Sequence, residues 1–93
     1  MEGSLATIFD PARAWTLSAE VSLRDESFGA LAYHHGNRRL VFLKSSELVA
    51  LVRRLEEFAN VNEALDVVVP RDERTRYLEA LASLQRSDLL RER

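Results

Sequence analysis

The stretch "FGALAYHHGNRRLVFLKSS", residues 28–46, decides the fold and changes character three times. Its first apolar run has apolar residues on both alternating faces, which is typical of a central strand. Gly36 and Asn37 follow, and because both tolerate positive φ they predict a two-residue type II′ hairpin turn. A second apolar run, "LVFL", then returns between two arginines and a lysine. The stretch therefore predicts a hairpin whose second strand is apolar in its middle and basic at both ends.

A further strand is predicted before this hairpin. From Trp15 to Leu23 apolar and polar residues alternate, a period of two that indicates a strand with one solvated face. The polar segment "RDES", residues 24–27, predicts the turn into the next strand. Trp15 and Phe28 are large and apolar, and both are predicted to lie in the core. Residues 15–44 thus predict a three-stranded antiparallel meander with the strand from Phe28 at its centre.

The period changes to that of a helix after the last strand. Ser45 or Ser46 is predicted to cap the first of three helices. Apolar residues then recur at helical spacing from Leu48 to Phe58, and Asn60 is predicted to end this helix.

The second predicted helix is short. Asn62 can cap it, but the β-prone valines at 67–69 and Pro70 limit it to one or two turns. The third helix is predicted to begin at a cap on Asp72 and to run to Gln85. The order βββααα predicts an α+β domain of the winged helix-turn-helix type, in which the hairpin is the wing.

Composition limits the class of protein. The 93 residues are predicted to form one domain, with an irregular lead-in over residues 1–13 that ends near the Asp10-Pro11 turn. The absence of cysteine excludes disulfides and thiolate metal sites. The short acidic start and the lack of a long apolar run predict a cytoplasmic protein with no membrane contact. The net charge of −2 argues against nucleic acid as a partner, because phosphate binding favours a basic protein.

No constellation of residues predicts catalysis. His34 and His35 are adjacent in a strand and point to opposite faces, so they cannot hold one metal ion together. The paired serines are explained as helix caps, and no phosphate-binding glycine pattern occurs. Neighbouring carboxylates such as Glu56 and Glu57 do not face each other on a helix. We therefore expect a protein that is not an enzyme and has no catalytic residues, metal or cofactor.

Two binding functions remain. In the first, the helix-turn-helix unit enters a DNA major groove, with the arginines from Arg71 to Arg76 on bases and phosphates. In the second, strand 38–44 binds an extended peptide along an open edge, and the last helix forms the wall of the groove. An apolar edge flanked by cations suits an apolar or acidic guest, although such cations also protect an edge from aggregation. These patterns favour the two functions about equally, and a structural or dimerisation role is the third interpretation.

Three segments resemble one known family. They are "FDPARAW" at 9–15, "FGALAYHHGNRRLVFLKS" at 28–45 and "YLEALASLQRSDLL" at 77–90. Together they resemble the mycofactocin biosynthesis chaperones, which are small proteins that bind the precursor peptide of that pathway. The resemblance covers nearly the whole chain, and the segment from Phe28 to Lys44 is its most specific part. The family is similar to the D protein of pyrroloquinoline quinone biosynthesis, and so to the recognition elements of ribosomally made, modified peptides.

The resemblance implies a three-stranded antiparallel sheet on a three-helix bundle and a protein that is not an enzyme. The implied guest is the leader of a precursor peptide, which adds as a strand beside the last strand and is presented to a radical S-adenosylmethionine maturase. The open edge also allows a homodimer. The implied peptide-binding residues are Arg38, Arg39, Leu40, Val41, Phe42, Leu43, Lys44, Arg74, Tyr77, Leu78 and Leu81. The β-prone segment 61–69 departs from the family pattern and leaves the length of the middle helix open.

Overall fold

The computed structural model describes residues 9–93 and confirms the predicted α+β architecture, a three-stranded antiparallel sheet with three helices. The predicted lead-in over residues 1–13 lies partly outside the described residues. The strands are β1 (Trp15–Leu17), β2 (Val21–Glu26), β3 (Gly29–His34), β4 (Leu40–Leu43) and β5 (Leu90–Glu92). The helices are α1 (Ser46–Arg54), α2 (Val61–Val68) and α3 (Arg74–Arg86), and short 3-10 turns follow α1 and precede α3.

The first predicted strand is in fact two strands. A turn at residues 18–20 divides the alternating segment, and β1 pairs with β5 near the other end of the chain. The predicted turn at residues 24–27 is wrong, because β2 runs to Glu26 and the chain reverses at Ser27 and Phe28. Phe28 therefore lies exposed in a turn and not in the core, whereas Trp15 is buried as predicted.

The strand β3 is the centre of the sheet, as predicted, with β2 and β4 on either side. Its residues Ala30 and Ala32 are fully buried, and their small side chains allow α1 to approach the sheet closely. Gly29 has φ of 147°, and a Cβ atom there would lie 2.0 Å from the carbonyl oxygen of Leu43. The first residue of β3 must therefore be glycine for β4 to come this close.

The connection from β3 to β4 differs from the predicted two-residue turn. It spans residues 35–39, and the positive φ falls on Arg38, at 66°. His34 organises this loop, because its Nδ1 accepts hydrogen bonds from the N–H groups of Gly36 at 3.0 Å and Asn37 at 3.1 Å. The Asn37 side chain accepts another from the N–H of Arg39 at 2.9 Å. These bonds give the two arginines before β4 a defined backbone conformation.

Capping chemistry sets the starts of the first two helices. Ser45 caps α1, as predicted, and its Oγ accepts a hydrogen bond from the N–H of Leu48 at 2.9 Å. Asn60 does not end α1 but caps α2, where its Oδ1 accepts from the N–H of Glu63 at 2.9 Å. The helix α2 extends to Val68, past its predicted end, because contacts of its apolar face with the core override the β propensity of valine.

The third helix begins without the predicted side-chain cap. Asp72 lies in the preceding 3-10 turn, and α3 runs from Arg74 to Arg86, close to its predicted end. Asp88 has φ of 64°, and the chain then enters β5. The core between the helices and the sheet is built from buried side chains of all three helices together with Leu43, Leu89 and Leu90.

Candidate functional site

The strand β4 is an edge of the three-stranded sheet. It pairs with β3 in the register Ala30↔Leu43, Leu31↔Phe42, Ala32↔Val41 and Tyr33↔Leu40. No other strand in residues 9–93 pairs with its opposite side. The main-chain groups on that side are therefore open to a guest.

Hydrogen bonds at the start of β4 determine which main-chain groups point to the open edge. The N–H of Arg38 donates to the His34 carbonyl at 2.8 Å, and the N–H of His34 donates to the Arg39 carbonyl at 2.9 Å. Paired and unpaired residues alternate along an antiparallel ladder. The main chain of Val41 and Leu43 is thus directed to β3, while the N–H and C=O groups of Leu40 and Phe42 point outward.

The side chains of β4 alternate in the same way between the core and the surface. Leu43 is 1% exposed and belongs to the core, and Val41 packs partly against it. Leu40 and Phe42 are 56% and 55% exposed. The same two residues therefore present both free main-chain groups and uncovered apolar side chains.

A hollow of about 250 Å³ separates the end of β4 from α3. Its wall on α3 is the first half of that helix, and the Tyr77 hydroxyl lies 3.4 Å from the Ser45 Oγ at the end of the strand. The guanidinium of Arg76 stands over the Tyr77 ring, 5.5 Å from its centroid. The lining residues are Phe42, Lys44, Ser45, Leu48, Arg76, Tyr77 and Ala80. A chain placed along β4 would meet this hollow with the side chains that it directs towards the helices.

The structure places the four helix residues implied by the resemblance in different surroundings. Tyr77 lines the hollow, whereas Leu81 is fully buried and Leu78 is half-buried against the core. Arg74 turns towards α2, where it donates to Asp66 at 2.6 Å and also to Asn62.

Arg76 and Ala80 line the hollow, although the sequence pattern assigned Arg76 only to DNA contacts and did not indicate Ala80. Neither belongs to the apolar stripe of α3, and the structure shows that the hollow borders the edge of that stripe. Their spacing of four residues, on either side of Tyr77, is the sequence signal that could have found them.

The border of the β4 edge is basic. Arg38, Arg39 and Lys44 are exposed, and none of them forms an ion pair with another residue of the described range 9–93. Arg76 is paired with Glu73 at 2.8 Å. Within residues 9–93, the open edge therefore carries positive charge at both ends of its apolar centre that no carboxylate pairs with.

This charge disfavours pairing of β4 with its own copy. In an antiparallel pair that joins Leu40 to Phe42 of a second chain, Arg38 would stand opposite Lys44 at both ends. Like charges opposite each other destabilise a sheet. An extended chain with carboxylates at its ends would instead be attracted to the same edge.

The other edge of the sheet, on β2, is occupied by charge. Asp25 of β2 accepts from Arg53 of α1 at 2.9 Å, so this ion pair crosses from the helix to the edge. A hollow of about 410 Å³ beside it is lined in part by Thr16, Arg53 and Glu56. Charged residues on an edge are a device that blocks strand addition. The apolar and unobstructed β4 is therefore the better candidate for a binding edge.

The described residues offer neither a metal centre nor a membrane span. No group of three or more histidine and carboxylate side chains in residues 9–93 is placed to hold a metal ion. In the same range no helix has the length and apolar character needed to cross a bilayer.

Comparison with known proteins agrees with the resemblance found in the sequence. Residues 14–91 match the peptide chaperone MftB family, and the chain belongs to that family. The resemblance to the mycofactocin biosynthesis chaperones is thereby confirmed.

Three relatives illustrate the similarity, and each is named peptide chaperone MftB. The protein of Mycobacterium ulcerans (strain Agy99) is 44% identical over 86 residues, which cover 91% of this chain and 79% of the relative. That of Mycobacterium tuberculosis (strain ATCC 25618 / H37Rv) is 40% identical over 83 residues, 88% of this chain and 76% of the relative. That of Mycolicibacterium smegmatis (strain ATCC 700084 / mc(2)155) is 41% identical over 83 residues, which cover 88% of this chain and 81% of the relative. No solved structure matches the chain.

The assignment of inward and outward main-chain groups on β4 predicts different effects of proline at adjacent positions. Val41→Pro removes an N–H that bonds to β3, whereas Phe42→Pro removes one that faces the open edge. Val41→Pro should therefore lower the free energy of unfolding by about 1–3 kcal/mol more than Phe42→Pro does. Urea denaturation of the two variants measures this difference. An equal or reversed loss would contradict the assignment of the Val41 N–H to β3 and of the Phe42 N–H to the open edge.

Proposed function

We propose that β4 binds an extended peptide by strand addition. The observation that carries the proposal is the pair of outward main-chain positions, Leu40 and Phe42, beside the hollow walled by α3. Main-chain bonds would supply affinity that tolerates different sequences, and the hollow would select side chains. Arg38, Arg39 and Lys44 would attract carboxylates of the guest. Membership of a family of peptide chaperones supports this assignment.

The guest that fits the family is the leader of a ribosomally made precursor peptide, the mycofactocin precursor. In this proposal the chain is a non-catalytic chaperone that acts in the cytoplasm. It holds the leader and delivers the peptide to a radical S-adenosylmethionine maturase, which performs the chemistry. The lack of cysteine in this chain is consistent with that division of labour, because iron–sulfur clusters are held by thiolates.

DNA binding by the helix-turn-helix unit is the alternative, and the contacts of its arginines count against it. The Arg74 guanidinium is engaged by Asp66, and that of Arg76 by Glu73. Both would have to leave these carboxylates to reach phosphate. The net charge of −2 adds to this cost.

Titration with two ligands separates these functions. A synthetic leader of the precursor peptide should form a one-to-one complex with the protein, and a DNA duplex at physiological salt should form none. Calorimetry measures the first and fluorescence anisotropy the second. Tight DNA binding with a steep dependence on salt, together with no response to the leader, would establish the alternative.

The basic border predicts an effect on the rate of association. Arg39→Ala should slow association with an acidic leader and reduce its dependence on salt, because long-range attraction acts before contact forms. The equilibrium affinity should fall by less than about tenfold, since an exposed charge pair contributes only ~0–1 kcal/mol.

Stopped-flow measurements at two salt concentrations test this effect. Arg91→Ala is the matched control, because Arg91 is an exposed arginine on β5 at a different sheet. If association of the parent protein is insensitive to salt, the cations at β4 only protect the edge from aggregation.

A further inference from the structure

The three-stranded sheet has a second uncovered surface, on the side away from the helices. Ala30, Ala32 and Leu43 point into the core, so the residues between them point to the opposite side. We call this side the outer face. Its apolar part consists of Leu31 and Tyr33 on β3, Leu40 and Phe42 on β4, and Phe28 in the preceding turn. Ser22, Arg24 and Glu26 of β2 lie on the same side of the sheet.

The apolar part of the outer face contains two hollows. Phe28, Leu40 and Phe42 are exposed there, and Leu31 and Tyr33 are half-buried. Phe28 and Phe42 make an edge-to-face contact with ring centroids 5.8 Å apart, and they border a hollow of about 340 Å³. Leu31, Tyr33 and Leu40 line another hollow of about 210 Å³, together with Ser22, Leu23 and Arg24 of β2. Clustered exposed aromatic and aliphatic side chains on a small protein mark a protein-binding surface.

The charges around the outer face select the kind of partner. Lys44 borders the hollow at Phe28, and Arg38 and Arg39 lie at the other end of β4. On β2, Arg24 forms an ion pair with Glu26 at 2.7 Å, so these two residues add no net charge to the face. Two copies of this face related by a two-fold axis would bring such basic borders together. The complementary surface is therefore that of a different, folded protein whose apolar side chains are surrounded by carboxylates.

The outer face is continuous with the binding edge. A strand added to β4 alternates its side chains between the two sides of the sheet. Half of them would meet the hollow at α3, and the other half would extend the outer face beyond Leu40 and Phe42. A bound peptide would thus enlarge the apolar surface that a second partner can contact.

We propose that the outer face is the docking surface for the enzyme that receives the peptide, and that the bound leader completes this surface. The inference rests on the proposed function, because it takes strand addition at β4 as given. It assigns the enzyme the side-chain surface that adjoins the main-chain edge of β4, so that peptide and enzyme bind at the same time. Since binding linkage is reciprocal, the leader and the enzyme must strengthen each other's binding by the same factor.

Two substitutions on β3 test the surface without touching the β4 edge. Tyr33→Thr and Leu31→Thr remove outer-face side chains and keep residues that favour strands. Val67→Thr is the matched control, because Val67 is 62% exposed on α2, away from the sheet. The probes are the synthetic leader peptide and the purified radical S-adenosylmethionine maturase, each titrated into the full chain by calorimetry.

The parent protein should bind the maturase at least about fivefold more tightly when the leader is present, a coupling within the usual range. Tyr33→Thr and Leu31→Thr should weaken maturase binding by about tenfold or more, as loss of a central aromatic or apolar contact does. Their affinity for the leader should stay that of the parent, and Val67→Thr should change neither. Unchanged circular dichroism would show that the variants fold.

Each other outcome overturns the inference in a recognisable way. Full maturase affinity in both β3 variants would exclude the outer face as the docking surface. Loss of leader binding in folded Tyr33→Thr would show that this side chain serves the β4 edge. A parent dimer that the variants convert to monomers in light scattering would make the face a self-interface. A parent that fails to bind the leader would refute the proposed function itself, and one that binds the leader but not the maturase would refute delivery.

Discussion

The antiparallel ladder between β3 and β4 is the constraint on which the rest of the structure depends. The hydrogen bond from the N–H of His34 to the Arg39 carbonyl sets which residues of the following strand bond to β3. Because bonded and open positions alternate, this one bond fixes the orientation of each residue from Leu40 to Leu43. A slip of one residue would turn Leu43 to the surface and Phe42 to the core. It would also exchange the main-chain groups at the open edge. The loop held by the His34 imidazole therefore determines both the packing and which main-chain groups of β4 face the open edge.

The four residues of β4 consequently contribute side chains both to the core and to the exposed surface. Burial of a side chain such as Leu43 stabilises the fold by about 1.5–3 kcal/mol, whereas Leu40 and Phe42 leave most of that gain unrealised in the free protein. A partner that covers Leu40 and Phe42 gains this free energy of burial, at about 25 cal/mol for each Å² of apolar surface removed from water. Exposed apolar side chains are an aggregation liability in a free protein, and they favour binding by a partner that covers them. The cations at both ends of β4 reduce that liability, because they repel a second copy of the same edge.

Local patterns in the sequence were sufficient for the elements whose chemistry is local. The alternation after Gly29, the helical stripes and the Ser45 cap predicted β3, β4 and α1, and the family resemblance indicated the binding edge. The pairing of β1 with β5 was missed because it joins Trp15 to Glu92, and no local period records so distant a partner. Phe28 was misplaced because hydrophobicity does not distinguish a core residue from one on an exposed face. The lining of the hollow by Arg76 and Ala80 depends on how α3 is rotated against β4, which the apolar stripe fixes only approximately.

Amide hydrogen exchange, resolved by residue with NMR, tests the central claim most directly. In the free protein the amides of Val41 and Leu43 should exchange slowly, because they bond to β3, and those of Leu40 and Phe42 should exchange fast. Addition of the leader peptide should slow exchange at Leu40 and Phe42 and leave the outward amides of β2 unchanged. New protection at Leu23 or Asp25 on β2, with none at Leu40 and Phe42, would contradict the account.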